Sequence, residues 1–112
     1  MDCLFCAIIK GDIPSKCVWN DEMCYAFYDI NPQAPVHFLV VPKTHISSAD
    51  EIRDENAKYV SHIFSVIPEI AKTCGITNGY RIITNVGEDG CQSVKHLHFH
   101  VLGGEKLTEK MG

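Results

Sequence analysis

The sequence lacks the features that direct a chain to a membrane, an export pathway or nucleic acid. No apolar run approaches the ~20 residues that span a bilayer, and the first residues show no basic segment followed by an apolar stretch. The net charge of −4 argues against a surface that neutralises nucleic-acid phosphates, although a single nucleotide needs only a local site. We expect a cytoplasmic protein with no membrane or nucleic-acid partner.

We do not expect the cysteines of this chain to form disulfide bonds. The chain has six cysteines in 112 residues, and in the expected compartment thiols serve more often as metal ligands or buried side chains. A disulfide-stapled secreted domain is the alternative. With 46% hydrophobic and 21% charged residues and no linker or repeat, the chain is predicted to form one globular domain over residues 1–112.

Hydrophobic periodicity predicts an α+β fold with one antiparallel sheet, because strands precede and follow one long helix. We expect this helix to begin after Asp54 as its N-cap and to end at Gly75. Pro68 inside it predicts a kink near Ser65–Val66 or a break into two pieces. The predicted elements are a helix over 4–10, strands over 17–19, 23–29, 37–42, 79–86 and 93–102, and the long helix over 57–74.

Three histidines alternate with apolar residues near the end of the chain. In a strand, His96, His98 and His100 would line one face, roughly 6.6 Å apart, and the intervening apolar residues would line the other. A row of imidazoles can hold a metal, a phosphate or a reacting nucleophile. Three in strict alternation would be costly to bury in a core, so we interpret the row as functional.

A glycine-rich segment, residues 87–93, precedes the histidines. Its two glycines allow a tight turn and close approach of a ligand, and Gln92 and Ser93 add neutral hydrogen-bond donors. Alone, the segment is typical of an ordinary hairpin turn. Beside the histidine row it predicts a clamp for phosphate oxygens.

Cys3 and Cys6 have the two-residue spacing that lets both thiolates reach one zinc ion. One pair does not fill a tetrahedral site, so two further ligands must come from elsewhere, and His45 and His96 are the candidates. Buried inert thiols and a redox pair are the alternatives on spacing alone.

Three isolated polar residues have weaker signals. His37 opens a buried strand and could orient another histidine or lie at the surface. His62 neighbours the apolar stripe of the long helix, and we expect it on the surface. Asp29 at a strand end could bind hydroxyl groups or belong to a turn.

Four motifs together resemble the histidine triad (HIT) family, in its Hint-like purine nucleoside phosphoramidase branch and zinc-binding microbial type. They occur in the family's order over nearly the whole chain, so chance agreement is very improbable. The motifs are Asp29-Ile30-x-Pro32-Gln33-Ala34-Pro35-x-His37, Val41-Pro42-Lys43-x-His45-Ile46, Asn85-x-Gly87-x-Asp89-Gly90-x-Gln92-Ser93-Val94 and His96-x-His98-x-His100-Val101-Leu102-Gly103-Gly104.

The resemblance implies a HIT-like fold with a five-stranded antiparallel sheet, one long and one short N-terminal helix, and a homodimer with a ten-stranded sheet. It implies hydrolysis of the P–N bond of adenosine or guanosine 5′-phosphoramidates through a nucleotidyl-histidine on His98. His100 and Ser93 would bind phosphate oxygens, with Gln92 beside them, and His37 would support the histidine network.

The resemblance also implies a nucleotide site for an AMP- or GMP-like ligand and a structural zinc ion, with no catalytic metal required. His96 would lie behind the nucleophile or on the metal, and Asp29 would bind the ribose hydroxyls. The base-pocket walls would be Phe5, Ile8, Phe27 and Ile30, Asn85 would lie near the phosphate and sugar, and the zinc ligands would be Cys3, Cys6, His45 and His96.

Two features depart from the family pattern. Cys91 stands where close relatives often have glycine, and the C-terminal residues 104–112 lack the Trp-Pro-Pro-Gly ending of the animal enzymes. Three other functions stay open: a nucleotide-binding or scaffold protein with weak catalysis, cleavage or transfer of dinucleoside polyphosphates, and metal binding by the histidine row itself.

Overall fold

The computed structural model describes residues 3–112 and has an α+β architecture, as expected. Its five strands form one antiparallel sheet in the order β1-β2-β3-β5-β4. No helix in the described part of the chain is long and apolar enough to cross a membrane. The elements are α1 (Leu4–Lys10), β1 (Cys17–Asn20), β2 (Cys24–Tyr28), β3 (Val36–Pro42), a 3-10 turn (Ala49–Glu51), α2 (Ala57–Thr73), β4 (Tyr80–Ile83) and β5 (Phe99–Gly103).

Both faces of the sheet are apolar in its centre, because β2 and β3 are nearly continuous hydrophobic runs whose side chains alternate between the faces. One face packs against α2 and carries Cys24, Ala26, Phe38, Val40, Phe99 and Val101. The other packs against α1 and carries Tyr25, Phe27, Leu39 and Val41, together with Phe5 and Ile8 of the helix. The short α1 helix therefore covers the face that also holds the histidines.

The long helix is one continuous element from Ala57 to Thr73. Of the two predicted effects of Pro68, a kink or a break into two pieces, the break is therefore wrong. Pro68 removes the hydrogen bond to the carbonyl of Phe64, and both residues lie on the exposed side of α2, where water can satisfy that carbonyl. The N-cap is Asn56 rather than Asp54. The predicted C-terminal stop is confirmed, since the helix ends just before Gly75, which has a φ of 86°.

The last strand is shorter than expected, because β5 begins at Phe99 rather than at residue 93. Its ladder with β3 pairs Val36–Val40 with residues 99–103 and stops there, while the main chain at Leu97 bonds instead to the carbonyl of Ile46, with N···O 2.6 Å. The alternation nevertheless continues past the strand, since Leu97 still packs in the core on the α2 side. The peptide groups of His96 and His98 are thus free of the sheet ladder.

Hydrogen bonds to Asp21 link the β1–β2 turn to α2. The Oδ2 atom of Asp21 accepts hydrogen bonds from the indole of Trp19 and from Nε2 of His62, both at 2.7 Å, and its Oδ1 accepts from two backbone N–H groups. Partial burial raises the pKa of Asp21, but these hydrogen bonds outweigh burial and hold the pKa below the ordinary aspartate value. His62 is therefore partly buried, and its hydrogen bond to Asp21 links α2 to the β1–β2 turn. It is not the surface residue that we expected.

We predict that Asp21→Asn lowers the free energy of unfolding by about 1–3 kcal/mol at pH 7, since it removes a charged acceptor from two side-chain donors. The lowered pKa means that this contribution is present above the ordinary aspartate pKa and is lost as the pH falls below it. Urea denaturation at pH 7 and pH 3 measures both effects. Asp12→Asn is the matched control, because its contact with Lys10 is exposed and 3.9 Å long. Equal losses for the two variants would contradict the prediction.

Candidate active site and metal centre

The three histidines lie on the α1 face of the sheet, as their alternation predicted, although only His100 belongs to β5. The ring centroids of His98 and His100 are 5.1 Å apart. The Phe5 ring stands edge-on to His98, with 5.0 Å between centroids and 90° between planes. Each imidazole has a different hydrogen-bond partner, so the three do not converge on one shared ligand.

His98 is held in one tautomer by the main chain. Its Nδ1 atom lies 2.6 Å from the carbonyl oxygen of His96 and must donate to it. The proton is therefore on Nδ1, and Nε2 carries a lone pair. Thr84, at the end of β4, donates to the carbonyl of His98 at 2.8 Å and fixes the backbone there. Thr84 had no signal in the sequence.

His100 is held in the opposite tautomer by a chain of hydrogen bonds. The backbone N–H of Gln33 donates to Nδ1 of His37 at 3.1 Å, so His37 carries its proton on Nε2. That proton is donated to Nδ1 of His100 at 2.9 Å. His100 must therefore carry its own proton on Nε2. The predicted supporting role of His37 corresponds to this bond.

Both functional nitrogens are available to a ligand. Within residues 3–112, Nε2 of His98 and Nε2 of His100 make no hydrogen bond, and no buried side-chain nitrogen or oxygen there lacks a partner. The two Nε2 atoms therefore reach solvent. The site presents a nitrogen lone pair beside an N–H donor.

Burial keeps these imidazoles neutral at pH 7. It lowers the pKa of His98, against the smaller opposing effects of the His96 carbonyl and of Asp29. It also lowers the pKa of His100 to about 4, with further contributions from the neighbouring imidazoles of His98 and His37. A neutral imidazole is the form that can act as a nucleophile.

The predicted nucleotide residues surround the histidines unevenly. Asp29 follows β2, and its Oδ2 lies 3.5 Å from Nε2 of His37, while its Oδ1 accepts from the backbone N–H of Asn31. Ile30 is 92% exposed and stands apart from the other predicted wall residues. Those residues, Phe5, Ile8 and Phe27, are buried together on the α1 face.

The glycine-rich segment is stabilised by hydrogen bonds from its own side chains. Gln92 accepts from the N–H of Gly87 and donates to the carbonyls of Ser47 and Val94, so both ends of its amide hold the loop. Asn85 donates to the carbonyl of Gly90 at 2.7 Å. These two predicted ligand residues therefore shape the clamp, whereas Ser93 is exposed at its end.

Two positions in this loop have backbone geometries that favour glycine. A Cβ atom at Gly90 would collide with the carbonyl of Val86, so the loop requires glycine there. Cys91 has a φ of 61°, in the left-handed region that favours glycine. A glycine at position 91 would adopt this conformation with less strain than cysteine.

Cys3, Cys6, His45 and His96, hereafter the Cys/His cluster, bring four ligand atoms to within 4.8 Å of one another. Nδ1 of His96 is 3.3 Å from Sγ of Cys3, 3.5 Å from Sγ of Cys6 and 3.2 Å from Nδ1 of His45. A tetrahedral zinc ion would require about 3.6 Å between sulfur and nitrogen and about 3.3 Å between the nitrogens. The cluster could hold a metal ion, and its spacings are compatible with zinc.

His96 is prepared for a ligand role by its second nitrogen. Nε2 donates to the carbonyl of Pro42 at 2.9 Å, which leaves the Nδ1 lone pair directed at the cluster. The side chain is fully buried. The carbonyl of Pro42 and the N–H of Gln33 are main-chain groups, which no motif of side-chain types could have revealed.

Comparison with known proteins gives the family. A family model described as HIT domain matches residues 10–107. A histidine triad protein from Clostridium difficile is 51% identical with a TM-score of 0.94, over 98% of this chain and 96% of that one. A HIT family hydrolase from Clostridium thermocellum is 44% identical with a TM-score of 0.95, over 98% and 96%. An uncharacterized HIT-like protein of Synechococcus elongatus is 43% identical over 107 residues, which are 96% of this chain and 94% of that protein. The chain therefore belongs to the HIT family.

Proposed function

We propose that the protein is a nucleotide hydrolase that cleaves the P–N bond of adenosine or guanosine 5′-phosphoramidates, with His98 as the nucleophile. The observation that carries the proposal is the pair of opposite tautomers. His98 offers a lone pair on Nε2, and His100, 5.1 Å away between ring centroids, offers an N–H. Attack on phosphorus needs the first, and stabilisation of phosphate oxygens needs the second.

In the first step Nε2 of His98 attacks the α-phosphorus, the N–P bond to His98 forms, and the P–N bond to the leaving amine breaks. The amine takes up a proton from solvent water as it leaves. His98 then carries a positive charge, which the His96 carbonyl stabilises through the Nδ1–H bond of 2.6 Å. The N–H of His100 and the hydroxyl of Ser93 bind the phosphate oxygens.

In the second step water attacks the nucleotidyl-His98 and releases a nucleoside 5′-monophosphate. The water loses one proton, which balances the proton taken up by the amine, and His98 returns to its neutral form. All the residues in these steps are neutral donors, a neutral nucleophile or the main chain. They supply positioning and charge stabilisation, the main requirements of phosphoryl transfer, so no catalytic metal is assigned.

The nucleotide part of the proposal rests on the surroundings of the histidines. Asp29 has one oxygen beside the imidazole pair and is assigned to the ribose hydroxyls. Phe5, Ile8 and Phe27 form a buried apolar cluster next to His98 and are assigned, with Ile30, to the wall of the purine pocket. Zinc is assigned to the Cys/His cluster, where it would tie the N-terminal segment to the sheet.

We further propose a homodimer that joins two sheets through the edge of β4. The strand order leaves β1 and β4 at the edges. β1 has an irregular register near Cys17, whereas β4 is regular and carries Tyr80, which is 38% exposed. Phe64 of α2 is 47% exposed and packs against Phe99 of the adjoining strand β5. Sedimentation equilibrium at micromolar concentration is expected to give twice the 12.5 kDa mass of the chain. A single species of chain mass would contradict this assignment.

His98→Asn is expected to lower kcat/KM for adenosine 5′-phosphoramidate by at least about a thousandfold, because it removes the nucleophile. The affinity for AMP, measured by calorimetry, should stay within about threefold. His62→Asn is the matched control, since that histidine lies on α2 and bonds to Asp21. Full turnover by His98→Asn would refute the mechanism. Micromolar AMP binding with no turnover by the unaltered chain would favour the scaffold function.

The pH profile tests the neutral imidazoles. Because burial lowers the pKa values of His98 and His100, the latter to about 4, activity should be constant from pH 8 to about 6. It should fall only as the pH drops through these lowered values, where protonation removes the lone pair of His98. Initial rates at saturating and limiting phosphoramidate give the profiles of kcat and kcat/KM. An acid limb centred at the ordinary histidine pKa of 6.5 would contradict the role of burial.

A further inference from the structure

We infer that metal binding at the Cys/His cluster and nucleotide binding beside His98 are thermodynamically coupled, with His96 and Phe5 as the two physical links. The inference rests on the proposed function, because it concerns the regulation of the same nucleotide site. It goes beyond a structural metal that only ties down the N-terminus. In a coupled pair of sites each ligand changes the affinity of the other by the same factor.

The first link is His96, which serves both sites with different atoms. Its Nδ1 lies within 3.5 Å of both thiol sulfurs of the cluster, and its carbonyl accepts the Nδ1–H of His98 at 2.6 Å. The side chain is fully buried and its Nε2 is bound to the carbonyl of Pro42. A metal bound to Nδ1 therefore fixes the residue whose main chain orients the nucleophile.

The second link is α1, which carries Phe5 between two members of the cluster. Cys3 caps the helix, its Sγ accepting from the N–H of Cys6 at 3.4 Å, and both are predicted ligands. Phe5 contacts His98 edge-on and Phe27 at 5.5 Å between centroids. A helix of seven residues is marginal by itself, so the position of Phe5 depends on what anchors α1.

The metal-free protein should differ from the zinc-loaded protein in the position of α1. The four ligand atoms lie within 4.8 Å of one another. Without a cation they are joined only by weak thiol–imidazole contacts of 3.3–3.5 Å, which anchor α1 less firmly than metal–ligand bonds would. Weaker anchoring would let α1 and the ring of His96 move, and these two contact His98 through Phe5 and through the His96 carbonyl. The His98 tautomer and the Phe5 surface should both become less well defined.

The test is a four-state cycle with zinc and AMP as the probes. AMP affinity is measured by calorimetry in zinc-loaded protein and in protein stripped with a chelator, and zinc affinity is measured by chelator competition with and without AMP. We expect one zinc ion per chain, AMP binding about five- to tenfold weaker after stripping, and zinc binding tighter with AMP by the same factor.

Two variants locate the links. Phe5→Leu keeps an apolar residue on α1 but loses the ring, so the coupling factor should fall toward one while zinc affinity without AMP stays nearly unchanged. Cys17→Ser is the matched cysteine control, because Cys17 is exposed on β1 and outside the cluster. It should leave the whole cycle unchanged.

A second measurement needs no nucleotide. Long-range proton–nitrogen spectra of the His98 ring should show a single Nδ1–H tautomer in zinc-loaded protein and a mixture after stripping. Circular dichroism establishes whether stripped protein is folded. If it is not, His45→Asn replaces the stripped state, since it removes one ligand and leaves Cys3, Cys6 and His96 in place.

The outcomes separate the two hypotheses. Equal AMP affinity and an unchanged His98 spectrum in both metal states would overturn the coupling and leave the proposed function standing. Zinc binding well below one per chain would overturn the coupling as well. Absence of AMP binding in every state would overturn the proposed nucleotide site, and the coupling with it.

Discussion

The proposed chemistry of this protein depends on one hydrogen bond, from Nδ1 of His98 to the carbonyl of His96 at 2.6 Å. It places the proton of His98 on the buried nitrogen and leaves the lone pair on the accessible one. The bond can form because β5 begins only at Phe99, so the carbonyl of His96 is not used in the sheet ladder. A longer strand would have a more regular ladder but would take this carbonyl away from His98, whose tautomer would then be less defined.

The main hydrophobic core and the histidines lie on opposite faces of the sheet. The α2 face of β3 and β5 is wholly apolar in its centre, with Phe38, Val40, Phe99 and Val101 buried at 4% exposure or less. The other face combines a smaller apolar cluster with four buried or partly buried histidines, His37, His96, His98 and His100. Because the large core lies on the first face, the imidazoles can be desolvated without interrupting it.

The sequence predicted the fold class and most element positions, because hydrophobic alternation and helical periodicity are local patterns. The α1 helix over 4–10 agrees residue for residue with the structure. Element ends were less predictable. The chain before Phe99 leaves the ladder although β3 continues to Pro42, and Leu97 bonds instead to the carbonyl of Ile46. No local pattern records such a long-range hydrogen bond. The break predicted at Pro68 does not occur, because the cost of a helical proline depends on whether the freed carbonyl faces water.

The candidate site could be assembled from side-chain types and spacing, but the assignment of protons could not. The Cys/His cluster joins residues more than ninety positions apart in the chain, and its compatibility with zinc became clear only from the 3.2–3.5 Å separations. The tautomers of His98 and His100 depend on the His96 carbonyl and the Gln33 amide. Both are groups that every residue type possesses except, for the amide, proline.

The Gln33 amide has a consequence for how such a protein tolerates mutation. Almost any side chain at position 33 would keep the N–H that sets the proton of His37 and, through it, that of His100. A conventional alanine scan would record position 33 as neutral, and at position 96 it would remove the imidazole while leaving the role of the carbonyl untested. Substitutions at residue 33 should therefore leave the tautomers of His37 and His100 unchanged. The main-chain groups that set these tautomers are not detected by side-chain mutagenesis or by comparison of side chains.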